Sequence, residues 1–181
     1  MKGEHCYDLN CIDHITKYIS AHLFVEKRTL PKCVEFLNQI KMTCYDQILN
    51  RCDEKEKIIF VSDKFGLYRL AFNKLFLYVA TLRFGVPIKA KIAGLEHNNN
   101  PIERYNGSIE DRIKTMRGGF GSFDGAEAFM NLKHITHNFV NPHQQLKGIT
   151  PAEAAEIRLL LGRNKLLDLI KYRSKMKMTK R

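Results

Sequence analysis

Two carboxylates occupy positions where chemistry could be done. The run Ile58-Ile59-Phe60-Val61 is short, continuously apolar and flanked by charges, which predicts a strand buried on both faces of a sheet. Asp63 follows it directly after Ser62. Its carboxylate would then stand at the carboxyl edge of the sheet, the rim where α/β proteins usually hold ligands and metals. The same position also suits Ser62 or Asp63 as a cap for a following helix. The second carboxylate, Glu103, lies in the segment Asn98-Asn99-Asn100-Pro101-Ile102-Glu103-Arg104-Tyr105-Asn106. With Asn100 as cap and Pro101 at the first helical position, Glu103 falls third, where a glutamate completes a capping box. On position alone, each carboxylate has a structural use beside a chemical one.

Other side chains are less pointed. Arg104, Arg112, Lys114 and Arg117 follow Glu103 on the same predicted helix, where they could hold phosphates without reading bases or serve as ordinary surface charge. His134 and His137 are three apart, with no third ligand evident; His143, after Pro142, reads as a turn residue. The five cysteines are odd in number and form no CxxC pair, which predicts reduced thiols in an intracellular, cytoplasmic protein.

Thirty Lys and Arg against nineteen Asp and Glu give a formal charge of +11 and a pI near 9.5, the balance of a protein that sits on a polyanion. The final 21 residues, Leu161 to Arg181, hold eight Lys and Arg against one Asp, so about +7 of the charge lies there. They read as an arm for a phosphate backbone or as a solvated, partly frayed terminus. No run approaches the length of apolar chain that a membrane span needs, and the start, Met-Lys-Gly-Glu-His-Cys-Tyr-Asp, shows no secretory pattern. With 181 residues, the expected organisation is one domain over 1–160 and a basic tail over 161–181.

The elements that must position the two carboxylates follow from periodicity. Residues 5–13 and 18–25, joined by His14-Ile15-Thr16-Lys17, suit an antiparallel strand pair. Val34, Leu37, Ile40, Met42, Tyr45, Ile48 and Leu49 recur at helical spacing after Pro31. Leu67, Leu70, Ala71, Leu75 and Phe76 predict a helix after Gly66, and Val86 to Ile92 an edge strand that tolerates Pro87. Ile102, Tyr105, Ile109, Ile113 and Met116 form the stripe of a helix that ends at Gly118-Gly119. A further helix spans about 123–138, and Thr150 with Glu153 three residues later opens a last one by a capping box.

The whole pattern changes the weighting. Val-Ser-Asp63, followed by Asn-Asn-Asn-Pro-Ile-Glu103-Arg-Tyr-Asn-Gly-Ser-Ile-Glu-Asp-Arg with Glu103 forty positions after Asp63, resembles the Asp-Asp-Glu transposases of insertion sequences. The resemblance runs on through Met116-Arg117-Gly118, Phe120, Ser122-Phe123, Ala126, Asn138-Phe139-Val140-Asn141-Pro142-His143 and Thr150-Pro151-Ala152-Glu153-Ala154-Ala155. Upstream, Lys2-Gly3-Glu4-His5 with Tyr7, Ile12-Asp13 and Arg28-Thr29 are similar to that family's second and third strands and the entry to its first helix. Coverage is about Lys2 to Ile157, and the Asn-Pro-Ile-Glu-Arg block is its most specific part.

This resemblance implies an α/β, RNase H-like (retroviral integrase-like) domain with a mixed five-stranded sheet between helices. Asp63 and Glu103 would be the second and third members of a catalytic triad holding two Mg²⁺ (or Mn²⁺) ions for in-line phosphoryl displacement. The family's first aspartate lies on a strand before Lys2, so the chain as written is expected to lack that strand and ligand, with weak or no activity. Neither Asp8 nor Asp13 is assigned the role. The implied partners are DNA, as transposon ends and target, with a homo-oligomer an open option and the nucleoid as the place of action. Two other readings stay open: a catalytically dead DNA-binding protein that inhibits transposition, and another RNase H-like nuclease.

Overall fold

The computed structural model describes residues 6–53, 57–85, 100–116, 119–157 and 159–179. They form a mixed α/β chain with four strands in two separate pairs and six α-helices. By backbone contacts it divides into two compact units, Met1–Ile12 with Ser20–Ser122, and Asp13–Ile19 with Phe123–Arg181. Among the described residues, no helix is long and apolar enough to cross a membrane.

The first unit is built around the long helix α1, Leu30–Asp53, which buries Cys33, Phe36, Leu37, Ile40 and Ile48 along one stripe. The spacing is that of an amphipathic helix. Met42, counted above in that stripe, instead lies 80% exposed, because it falls outside the arc these residues define. Strands β1, Tyr7–Ile12, and β2, Ile19–Val25, pair antiparallel. Leu9, Ala21 and Val25 contribute to the same core as α1. Side chains alternate across a strand, so Asp8 and Asn10 stand on the opposite face of β1 from Leu9 and Cys11.

Strand β3, Ile58–Ser62, helix α2, Gly66–Phe76, and strand β4, Ala80–Phe84, make a strand-helix-strand unit with the strands parallel. A parallel pair needs such a crossover, and α2 provides it. Ile58 aligns with Ala80 and Ser62 with Phe84. The Gly85 N–H then donates to the Ser62 carbonyl at 2.7 Å. Phe60 stacks on Phe76 at 5.3 Å and meets Phe72 edge-on at 5.4 Å, so β3 is tied to α2 through three aromatic rings.

Two expectations are corrected here. Among the described residues, strand β3 is not fully buried on both faces: Phe60 packs inward while Ile59 is 42% exposed. Strand β4 was not anticipated, and the strand proposed over Val86 to Ile92 lies outside the described residues. Mixed α/β therefore holds, as two strand pairs and not one continuous five-stranded sheet among the described residues. Helix α3, Asn100–Lys114, buries Tyr105 and Ile109 and packs beside β1.

The second unit joins the turn Asp13–Ile19 to helix α4, Phe123–Phe139. In the turn, the Asp13 carboxylate accepts from the Ile15 N–H (3.1 Å), the Thr16 N–H (2.6 Å) and the Thr16 hydroxyl (2.7 Å), so this aspartate has a structural task. Beyond a short 3₁₀ turn, Gln144–Leu146, helix α5 spans only Pro151–Ala154. The predicted capping box is present: the Thr150 hydroxyl accepts from the Glu153 N–H, and the Glu153 carboxylate accepts from the Thr150 N–H at 2.7 Å. Left-handed Glu156 (φ 59°) then turns the chain away, with the Ile157 N–H returning to the Ala152 carbonyl. The described part of the basic tail is largely helical. It forms helix α6, Lys165–Thr179, capped by the Asn164 carboxamide on the Leu167 N–H at 3.1 Å.

Candidate active site

Asp63 stands immediately after β3, at the carboxyl end of the parallel strand pair. It does not cap α2. The capping position belongs to Phe65, which is extended and makes no side-chain cap bond, while the Asp63 carboxylate accepts only a long 3.4 Å bond from the Phe65 N–H. Ser62 donates to the Asp63 carbonyl at 3.0 Å. The carboxylate is half exposed (54%) and its ion partner is Arg28, whose Nη1 lies 3.7 Å from Oδ2.

Arg28 comes from the loop between β2 and α1, just before the helix whose first backbone bond runs from the Cys33 N–H to the Thr29 carbonyl. Its guanidinium carbon lies 4.6 Å from the centre of the Tyr7 ring and 4.4 Å from that of Phe65. Phe65 in turn meets Tyr68 edge-on at 5.5 Å. Three sequence segments thus converge beside Asp63: the start of β1, the loop before α1 and the loop after β3. Beneath them, burial pushes the Cys33 thiol up, and burial with the nearby Cys33 and Asp63 pushes the Tyr68 phenol up.

Glu103 lies in the first turn of α3 and is exposed, as are Arg104, Arg112 and Lys114. The helix begins at Asn100 itself, one residue earlier than a cap at that position requires. One turn after Glu103, Asn106 accepts from the Asn10 carboxamide at 3.3 Å, and Asn10 also donates to the Asp8 carboxylate at 3.0 Å. The side of α3 that meets β1 carries Tyr105 and Asn106, and Glu103 stands exposed one turn before Asn106. Next to this chain of bonds, burial and the charge of Asp8 push the Tyr105 phenol up. Lys114 is shared with Asp111 at 3.5 Å. Arg117 lies outside the described residues.

Among the described residues, Asp63 and Glu103 belong to no group of three side chains gathered to hold a metal. The residues with metal-binding spacing include Asp8 of β1 and His22 of β2, which offer ligand atoms within 4.8 Å of each other. An imidazole beside a carboxylate suits a transition metal better than Mg²⁺, which prefers oxygen ligands. No ion identity follows from that pair. Sequence reasoning passed over Asp8, His22 and Arg28 as chemistry. The available signal was strand alternation, since a carboxylate in step with Asn10 and out of step with Leu9 cannot face the α1 core.

In the second unit, His137 is tied to the turn. Its Nε2 lies 2.9 Å from the Lys17 carbonyl. The expectation for His143 is met: its ring accepts from the Gln145 N–H at 3.3 Å, its carbonyl accepts from the Leu146 N–H, and its N–H donates to the Ile149 carbonyl. No known protein family matches the chain, and neither a characterised protein nor a solved structure matches it.

Proposed function

We propose that this chain carries part of a DDE-type transposase catalytic site and acts on DNA. The observation that supports this most is the place of Asp63, at the carboxyl end of a parallel strand pair, exposed, not used as a helix cap, and faced by one cation. The sequence pattern linking it to Glu103 and the formal charge of +11 agree with a polyanionic substrate.

In this reading Asp63 and Glu103 are the oxygen donors for Mg²⁺, a fit to its preference for carboxylates. The bound ion would supply a Lewis acid that activates a water or a 3′ hydroxyl and stabilises charge on the phosphorus oxygens. Asp63 would hold its ligand oxygen where the end of β3 fixes it. Glu103 would bring its own from the exposed first turn of α3. Arg104 and Arg112, exposed on the same helix, would neutralise phosphates and set the strand's position without specifying its sequence.

The test combines Mn²⁺ binding, followed by electron paramagnetic resonance, with Mg²⁺-dependent cleavage of linear duplex, branched DNA and RNA–DNA hybrid. Asp63→Asn and Glu103→Gln should each weaken Mn²⁺ binding, and any cleavage of linear duplex should disappear with them. Cleavage of hybrids alone would overturn the transposase assignment in favour of another RNase H-like nuclease.

A second reading rests on the fact that Asp63 and Glu103 lie in no gathered group of three metal-binding side chains. It is a DNA-binding protein without cleavage, able to inhibit an intact transposase. Salt-dependent duplex binding with Mn²⁺ binding untouched by either substitution would select it.

A further inference from the structure

We infer that Arg28 is a DNA phosphate-binding residue of the Asp63 site, held over the rings of Tyr7 and Phe65 so that one nitrogen of its guanidinium faces Asp63 and the rest is offered to a strand. This rests on the reading of DNA as the substrate and adds to it a residue, a contact and a geometry.

An arginine on a surface loop ordinarily loses much rotamer freedom when it binds. Here the guanidinium already lies over two aromatic rings, at 4.6 Å and 4.4 Å. Stacking on rings is a property of the planar guanidinium that an ammonium cannot reproduce in kind. The rings are themselves anchored, Tyr7 by its place on β1 and Phe65 by its edge contact with Tyr68.

A guanidinium has five N–H groups. The approach to Asp63 is at 3.7 Å through a single nitrogen, longer than a hydrogen bond and far from the bidentate pairing that would use Arg28 fully as a partner for the carboxylate. Among the described residues, no acceptor takes its N–H donors. A buried structural arginine would be satisfied by the protein. This one is about one-third exposed, beside a carboxylate that is half exposed, so both open to the same solvent.

A carboxylate that binds a metal and a phosphate oxygen beside it makes a place where negative charge accumulates, and a guanidinium within about 4 Å of the carboxylate is placed to balance it. A phosphate diester offers the paired oxygens that the guanidinium fork recognises.

The experiment measures binding of a short mixed-sequence DNA duplex by fluorescence anisotropy over a series of salt concentrations, in Ca²⁺ to prevent cleavage. Replacing one phosphate-contacting cation lowers the slope of log affinity against log salt by about 0.9. Arg28→Gln should show that loss, equally for duplexes of different sequence. Arg28→Lys should keep the slope while affinity falls severalfold, because the charge remains and the stacked plane does not. Phe65→Leu, which keeps an apolar side chain at the site, should fall between wild type and Arg28→Gln. A folded Arg28→Gln protein with the wild-type slope would overturn the proposal. If Arg28→Gln does not fold, wild-type affinity in both Arg28→Lys and Phe65→Leu would overturn it. The wider reading fails separately: wild-type protein with no salt-dependent duplex binding removes DNA itself as the substrate. An Arg28 effect with Mn²⁺ binding indifferent to Asp63→Asn removes only the metal site.

Discussion

The carboxamide of Asn138 brackets the Ile19 peptide: its Oδ1 accepts from the Ile19 N–H at 2.9 Å and its Nδ2 donates to the Ile19 carbonyl at 3.0 Å. Asn138 is buried near the end of α4, and the amide serves the turn as the edge of a neighbouring strand would. Around it, Tyr18 meets Phe139 edge-on at 6.2 Å and His137 reaches the Lys17 carbonyl. Three consecutive side chains, His137, Asn138 and Phe139, therefore fasten three consecutive residues, Lys17, Tyr18 and Ile19. Asn138→Ala removes both bonds and leaves a buried N–H and carbonyl without that partner, a cost of about 2–3 kcal/mol. Asn138→Asp should cost nearly as much, since a carboxylate can accept from the N–H but is repelled by the carbonyl. Urea denaturation of the three proteins checks this, and an Asn138→Ala protein as stable as wild type would disprove the clamp.

The capping box of α5 carries a pH signature. The Lys165 ammonium at 2.8 Å, then the Thr150 N–H and hydroxyl, hold the Glu153 carboxyl down at about 2, against an ordinary 4.5. A carboxylate whose folded value is depressed contributes stability that is present above its unfolded value and lost as pH falls through the folded one. The loss should thus begin below about pH 4.5 and be complete near pH 2. Because Glu153 is largely exposed, solvent screens the interaction and the effect is smaller than the shift alone implies. Thr150→Ala removes the cap for about 1 kcal/mol. In melting curves recorded from pH 6 downward, Glu153→Gln should flatten the acid limb in that window; an unchanged limb would exclude the assignment.

Much of this was legible because it is local. Thr150 and Glu153 are three residues apart, and both bonds of their box close within one turn, so sequence alone specifies them. Helix α1 and the apolar run of β3 were equally plain from periodicity. What stayed hidden depends on contacts distant in the chain. Ile59 differs from Phe60 only in which face a neighbour covers, and a run of apolar residues does not record that. Strand β4 was missed because Ala80, Thr81, Leu82, Arg83 and Phe84 are a weak alternation whose partner lies 22 residues earlier, as in Ile58 with Ala80. At the candidate site, Asp63 was visible as an acid after a strand. Arg28 was legible only as part of a sequence pattern, since its rings come from Tyr7 and Phe65, on either side of it in the chain.

His137 gives a second, separate pH window. Burial is the largest influence and lowers its pKa below the ordinary 6.5; the bond to the Lys17 carbonyl opposes this, and His143, His134 and Lys133 add to the lowering. The unfolded chain therefore takes up a proton more readily than the folded one. Stability is complete above about pH 6.5 and declines as pH falls below it, well before Glu153 begins to titrate. His137→Gln keeps a side-chain donor for the Lys17 carbonyl without a titrating group. It should remove the decline in melting temperature between about pH 7 and pH 5, while a variant that still shows the full decline would place the responsible group elsewhere.

If the chain binds DNA as proposed, the cations of α3 differ in what they can offer it. Arg104 and Arg112 are exposed on the helix that carries Glu103. Lys114 is exposed too, but its ammonium is shared with Asp111 at 3.5 Å, so a phosphate would have to compete with a carboxylate for it. Release of counterions from DNA depends on each cation that meets a phosphate. Arg104→Gln and Arg112→Gln should each lower the salt slope of duplex binding by about 0.9, and Lys114→Gln by less. Asp111→Asn supplies the converse: freeing Lys114 should strengthen binding and steepen the slope in a protein whose other α3 cations are unchanged. If the three Gln variants bind with one common slope equal to that of wild type, α3 does not touch the DNA backbone, and the electrostatic contact belongs to another face such as α6.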